Sequence, residues 1–126
     1  MQAYATLLTT ESFLSGLICM LRSLNATKPA IRKLVLMYTP TTIRKRILNA
    51  VAAIAQRLAN LDVVAHAVLD ADQLLLSGSP ASHEQRFPGC IAKLALWQLV
   101  QFESVLYLDA DTVVIRNIDS YFARMR

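Results

Sequence analysis

Asp109 and Asp111 stand one residue apart at the end of an apolar run, in the stretch VLYLDADTVVIRNID that covers residues 105–119. Two carboxylates held that close repel each other. At about 5 Å and an effective dielectric near 20 the penalty is about 3 kcal/mol. A divalent cation between them reverses the sign. Oxygen ligands with open coordination positions suit Mg2+ or Mn2+, and the open positions suit phosphate oxygens. The pair therefore reads as a site for a metal-bound phosphate ester. The plainer reading is a turn whose aspartate side chains satisfy nearby backbone groups.

A site of this kind depends on the elements that carry it. AYATLLT (3–9), KLVLMYTP (33–40), DVVAHAVL (62–69) and SVLYLDADTVVI (104–115) are short, apolar and partly β-branched, and read as strands. Between them TESFLSGLICMLRSLNATKP (10–29) has Phe13, Leu14, Leu17, Ile18, Leu21 and Leu24 at helical spacing, with Thr10 as cap and Glu11 in the first turn. In TTIRKRILNAVAAIAQRLANL (41–61) the stripe Ile43, Ile47, Val51, Ile54 and Leu58 predicts a second helix. CIAKLALWQLVQF (90–102) predicts a third, with Ile91, Leu94, Ala95 and Leu99 on one side and Trp97 half-buried. Residues 70–89, punctuated by Gly78, Pro80, Pro88 and Gly89, read as loop, and NIDSYFARMR (117–126) as a turn leading into a helix.

Strands alternating with helices imply an α/β fold with a parallel sheet. Near-continuous apolar strands agree, because parallel strands are buried on both faces. In such sheets ligands bind beyond the carboxyl ends of the strands. The first strand is expected to end at Thr9-Thr10 and the last at Asp109, which puts these residues on one rim.

The totals limit the alternatives. The 126 residues suffice for one domain, and 55% hydrophobic with 17% charged residues is a globular composition. The net charge is +4 and the pI about 9.4. Basic residues are scattered apart from Arg44-Lys45-Arg46 and Arg32-Lys33. No basic stripe is interleaved with aromatics, so nucleic acid is not the expected partner. Cys19 and Cys90 fit no metal or redox spacing and read as reduced core thiols; His66, inside a strand-like run, reads as a core residue, and His83 is isolated. FLSGLICMLRSL is too short to span a bilayer and contains Arg22. No basic segment of a secretory signal precedes AYATLLT, so a cytoplasmic location is the expectation.

Three segments together resemble glycosyltransferase family 8, the glycogenin-like retaining enzymes: AYATLLTTESFLSGLICMLRSL, with Gly16 inside its helix, RKLVLMYTP, and KLALWQLVQFESVLYLDADTVVIRNIDSYF. The resemblance spans almost the whole chain. It implies a GT-A fold, Rossmann-like and nucleotide-binding, with a UDP-sugar donor, Mn2+ (or Mg2+) as cofactor and a hydroxyl acceptor. Position by position, it implies that Leu7, Leu8, Thr9 and Thr10 border the uridine and that Phe13 stacks on uracil. Lys93 and Arg86 would contact the sugar nucleotide. Asp109 and Asp111 would bind the metal, with Ala110 contributing backbone. Leu8 departs from the polar residue common at its position. The family's later segments, among them a histidine that completes the metal shell, have no counterpart here. The expectation is one domain over residues 1–126 corresponding to the donor-binding half, with its own turnover in doubt, catalytic residues unassigned, and a homodimer compatible with it.

Two rivals stand beside this. LYLDADTVV also resembles the strand-Asp-X-Asp-X-Thr pattern of haloacid-dehalogenase-like Mg2+ phosphatases, which would make Asp109 a nucleophile and Asp111 its acid/base. That motif usually opens its domain, whereas three strands come first here. The other rival is a non-catalytic UDP- or metal-binding module.

Overall fold

The computed structural model describes residues 1–68 and 91–125, Ile91 through its backbone alone. Four strands form one parallel sheet: β1 (Gln2–Leu8), β2 (Lys33–Tyr38), β3 (Asp62–Ala67) and β4 (Ser104–Tyr107). Their spatial order is β3-β2-β1-β4. The chain steps outward from β1 to β3 on one side, then crosses back to lay β4 on the other. The strand order thus reverses between β1 and β4, which is where open α/β sheets form their ligand crevice.

Alternation along β1 divides its side chains between two cores. Tyr4 and Leu8 pack with Leu34 and Leu36 against the helices α1 (Leu14–Ala26) and α2 (Lys45–Ala59). Ala3, Ala5 and Leu7 pack with Val35 and Met37 against Ala92, Ala95 and Leu99 on the other face. Both faces of the two central strands are therefore covered, as their unbroken apolar sequences require.

The helices differ from their expected form in instructive ways. Thr10 makes no side-chain cap bond; a 3-10 turn (Glu11–Phe13) leads into α1 instead. α2 begins at Lys45 and ends at Asn60, whose left-handed φ of 49° lets Asn60 N–H reach Gln56 O and Leu61 N–H reach Ala55 O. Its buried face is Leu48, Val51, Ala55 and Ala59: Val51 is as expected, the residues after Ile47, Ile54 and Leu58 take their places, and Ile43 is buried ahead of the helix. The third helix is a 3-10 helix over Ile91–Gln98. Its period of three puts Leu94 and Trp97 on the outside, Trp97 being 83% exposed rather than half-buried, and turns Ala92 and Ala95 inward. A short α3 (Ser120–Arg124) follows the aspartate segment and buries Phe122 edge-on against Tyr4.

Cys19 is exposed, not a core thiol. His66 is half-buried on the edge strand β3, with Nε2 3.5 Å from Gln98 Oε1, rather than in the core. Cys90, His83 and the expected loop at 70–89 lie outside the described residues.

Candidate functional site

β4 is short, yet its register carries the chain into the crevice. Ala5 lies opposite Tyr107, and Leu108 N–H donates to Ala5 O at 2.8 Å. The chain then turns: Thr112 N–H donates to Asp109 O at 3.0 Å, so Asp109, Ala110 and Asp111 occupy a tight turn just beyond the sheet. Both carboxylates are exposed. Among the described residues the turn's hydrogen bond is this main-chain one, and Asp109 Oδ1 pairs with Lys93 rather than accepting from a nearby amide, as the turn reading had it.

Helix α1 makes the floor of this turn. A Cβ on Gly16 would lie 3.2 Å from Ala110 O and 3.4 Å from Asp111 Cα. A side chain at this position would press on the turn and shift it by a few tenths of an ångström. Farther along α1, Ser23 Oγ donates to Met20 O at 2.8 Å and accepts from Val114 N–H at 2.9 Å. Past the helix end, Asn117 Nδ2 donates to Thr27 O at 3.2 Å. The chain from Ala110 to Asn117 therefore runs along the helix from its first turn past its last.

Asp109 is the electrostatic centre. Lys93 Nζ lies 2.8 Å from its Oδ1, and the same ammonium sits 5.5 Å from the centre of the Tyr107 ring. The hydrogen bond from Lys93, with another from the Tyr107 hydroxyl, holds the Asp109 carboxyl below the usual carboxylate range against the opposing effect of partial burial. The 3-10 helix that carries Lys93 thus brings a cation to the rim.

On the β1 side, two hydroxyls, from Thr39 at 3.2 Å and from Thr42, donate to Thr9 O, fixing the strand exit. Thr10 and Ser12 share a hydroxyl contact at 2.6 Å. The Phe13 ring is 43% exposed. Leu7 and Leu8 are buried in opposite cores, so only their backbone can border a ligand. This accounts for an apolar residue at position 8. Arg86 lies outside the described residues.

The sequence reading missed Tyr107, Ser23 and a further acid, Asp119. Tyr4 Oη donates to Asp119 Oδ1, Ala30 N–H donates to Oδ2 at 2.7 Å, and Asn117 Nδ2 lies 3.3 Å from Oδ2. Burial pushes the Asp119 carboxyl up, but these donors and the Arg32 charge outweigh it and leave it below its ordinary value. Burial, then the bond to Asp119, raises the Tyr4 phenol well above its own. Partners 115 positions apart leave no local pattern to read.

Two exposed carboxylates on one turn with solvent access are oxygen donors of the kind a hard divalent ion would take. Among the described residues no group of three or more His, Cys, Asp and Glu side chains could hold a metal. Among the same residues no helix is long and apolar enough to cross a membrane.

The chain is 30% identical over 123 residues to UDP-glucuronate:xylan alpha-glucuronosyltransferase 2 of Arabidopsis thaliana, covering 96% of this chain and 18% of that protein. It is 29% identical over 126 residues to glycogenin-1 of Oryctolagus cuniculus, covering 98% of this chain and 34% of that one. A shorter match, 40% over 48 residues, covers 38% of this chain and 9% of inositol phosphorylceramide glucuronosyltransferase 1 of Arabidopsis thaliana. The chain thus spans between 9% and 34% of the length of these relatives. Their names are those of glycosyltransferases, and nothing in them or in the turn favours the phosphatase reading. With residues 6–126 matching the profile of the family described as "Mannosyltransferase putative", the chain belongs to that family of glycosyltransferases.

Proposed function

We propose that this chain forms the donor-binding half of a retaining glycosyltransferase that takes a UDP-sugar with Mn2+ (or Mg2+) and transfers a hexosyl-type group to a hydroxyl acceptor. The observation that carries the reading is the exposed Asp109–Asp111 turn at the strand-order reversal, with Lys93 against Asp109. In this reading Asp109 and Asp111 hold the metal. A metal bound there would supply positive charge against the negative charge that develops on the departing diphosphate. Lys93 adds a second positive charge at the same rim, and the exposed Phe13 ring offers a stacking face to the base. Thr9 and Thr10, with the backbone of Leu7 and Leu8, border the nucleoside, and Ala110 offers its main chain. Arg86 is assigned to the sugar nucleotide by family resemblance alone.

The relatives' names differ in their sugars, glucuronosyl in two and mannosyl in the family description, so the sugar is left to experiment. Titration calorimetry of the 126-residue chain with UDP, and with GDP as comparison, in the presence and absence of Mn2+ tests the proposal. UDP binding that needs Mn2+, and that Mn2+ no longer promotes in Asp109→Asn and Asp111→Asn, is expected. Unchanged Mn2+-dependent binding in both variants, or phosphatase turnover through an acid-labile aspartyl phosphate without UDP affinity, would overturn it.

A further inference from the structure

The helical layer carries a feature that donor binding does not use. α1 contains one charged residue, Arg22; α2 contains three, Lys45, Arg46 and Arg57; neither helix contains an Asp or Glu. The remaining nine basic residues of the chain are matched by nine acidic ones. The entire net charge of +4 therefore resides on these two helices. None of the four cations has a salt-bridge partner among the described residues; the only ion pair near them joins Arg44, ahead of α2, to Glu11 at 3.9 Å. Unbalanced like charge on one layer is electrostatically unfavourable for the chain alone.

Between α1 and α2 lies a groove of about 350 Å3, lined by Ile18, Ile54 and Leu58 with Arg22 and Arg57. Ile18 and Arg22 are four residues apart on one helix, as Ile54 and Leu58 are on the other, so each pair faces the same way. Ile18 is two positions beyond Gly16, about 200° around the helix, so it faces away from the aspartate turn. Leu58 is 37% exposed, unusual for an aliphatic residue in a helix whose other face is fully packed.

We propose that this groove docks an acidic amphipathic helix of a partner protein, its aliphatic residues at i, i+3 and i+4 on Ile18, Ile54 and Leu58 and its carboxylates on Arg22 and Arg57. The guanidinium forks suit bidentate carboxylates, and their stems extend the apolar floor. A second copy of the chain would set the same arginines against one another. An anionic membrane matches the charge but not the shape: the surface is a groove, and neither helix carries Trp, Tyr or Phe to anchor it at a lipid interface.

The probes are a fluorescein-labelled peptide of Leu, Ala and Glu with Leu at i, i+3, i+4 and i+7, the same peptide with Lys for Glu, and vesicles containing anionic phospholipid. Binding of the Glu peptide is expected by anisotropy, weakening as salt rises, with amide shifts confined to α1 and α2. It should fall at least tenfold in Arg22→Glu/Arg57→Glu and less in Arg22→Gln/Arg57→Gln, with circular dichroism confirming both variants folded. Four results overturn the proposal: no binding, equal binding of the Lys peptide, binding indifferent to the arginine changes, or stronger attachment to vesicles than to the Glu peptide. Because these residues lie off the rim, UDP affinity serves as an internal control and should be unchanged in the variants.

Discussion

Lys93 shows how a side chain with two readings on paper is resolved by magnitude. A lysine half out in solvent and paired with an equally exposed carboxylate contributes at most about 1 kcal/mol to stability. Its pairing with Asp109 at 2.8 Å nevertheless fixes charge where a diphosphate would lie in the proposed reading. Lys93→Met should therefore leave the melting temperature nearly unchanged and weaken Mn2+–UDP binding clearly. It should also let the Asp109 carboxyl titrate closer to the ordinary range, because the largest influence holding it down is the bond from Lys93. Carboxyl NMR and calorimetry on the same variant separate these effects; an unmoved Asp109 titration would reduce Lys93 to a solvated charge. At this scale the acidic pair was legible because charge at the end of an apolar strand is conspicuous in sequence. Tyr107 was not, since an aromatic in a strand looks the same whether or not its hydroxyl serves a neighbour.

The two central strands, β1 and β2, were more readable than the helices, for a physical reason, whereas TVVI at 112–115 read as strand but is not one, and β3 at the edge is largely exposed. A strand buried on both faces is apolar at every position, so phase does not matter. A helix must be phased. In α2 the large aliphatics Ile54 and Leu58 suggested the core face, but the buried face uses Ala55 and Ala59. Small residues contribute little to a hydrophobic pattern and yet allow close packing. The displaced aliphatics are those that line the outer groove. In the 3-10 helix a period of three replaced one of 3.6 and moved Leu94 and Trp97 outward. α1 gives a sharper prediction, because two of its residues contact the aspartate segment differently. Gly16→Ala gains about 1 kcal/mol of helix propensity and presses a methyl to 3.2 Å from Ala110 O. Stability should change little while Mn2+ affinity falls, since the turn must shift by tenths of an ångström. Ser23→Ala leaves Val114 N–H without its acceptor and should cost about 1–3 kcal/mol, read by denaturant unfolding and by faster amide exchange at Val114. If Gly16→Ala bound Mn2+ as well as the parent, the close approach would be packing alone.

For the molecule as a whole, the decisive link is the one between its two ends. Tyr4 belongs to the central strand and Asp119 to the segment leaving the aspartate turn; their bond, with Ala30 N–H on the other carboxylate oxygen, ties the sheet, the turn before β2 and the approach to α3 together. The pH dependence follows from the two shifts. Asp119 is lowered in the fold, so its contribution is present above the ordinary carboxylate pKa of about 3.9 and is lost as pH falls through the lower folded value. Tyr4 is raised, so its contribution is present below the ordinary phenol pKa of about 10 and is lost as pH climbs toward the higher folded value. The tie is thus at full strength from about pH 4 to about pH 10 and weakens at both ends. A hydrogen bond to a charged acceptor contributes about 1.5–3 kcal/mol. Tyr4→Phe keeps the ring that meets Phe122 at 5.3 Å and removes only the hydroxyl. Other ionisable groups shape the absolute profile, so the informative quantity is the stability of the parent minus that of Tyr4→Phe, by denaturant unfolding at each pH. That difference should form a plateau across the window and fall on both sides. A flat difference at every pH would mean that the hydroxyl serves packing rather than the charged tie, and that the aspartate turn is anchored by α1 alone.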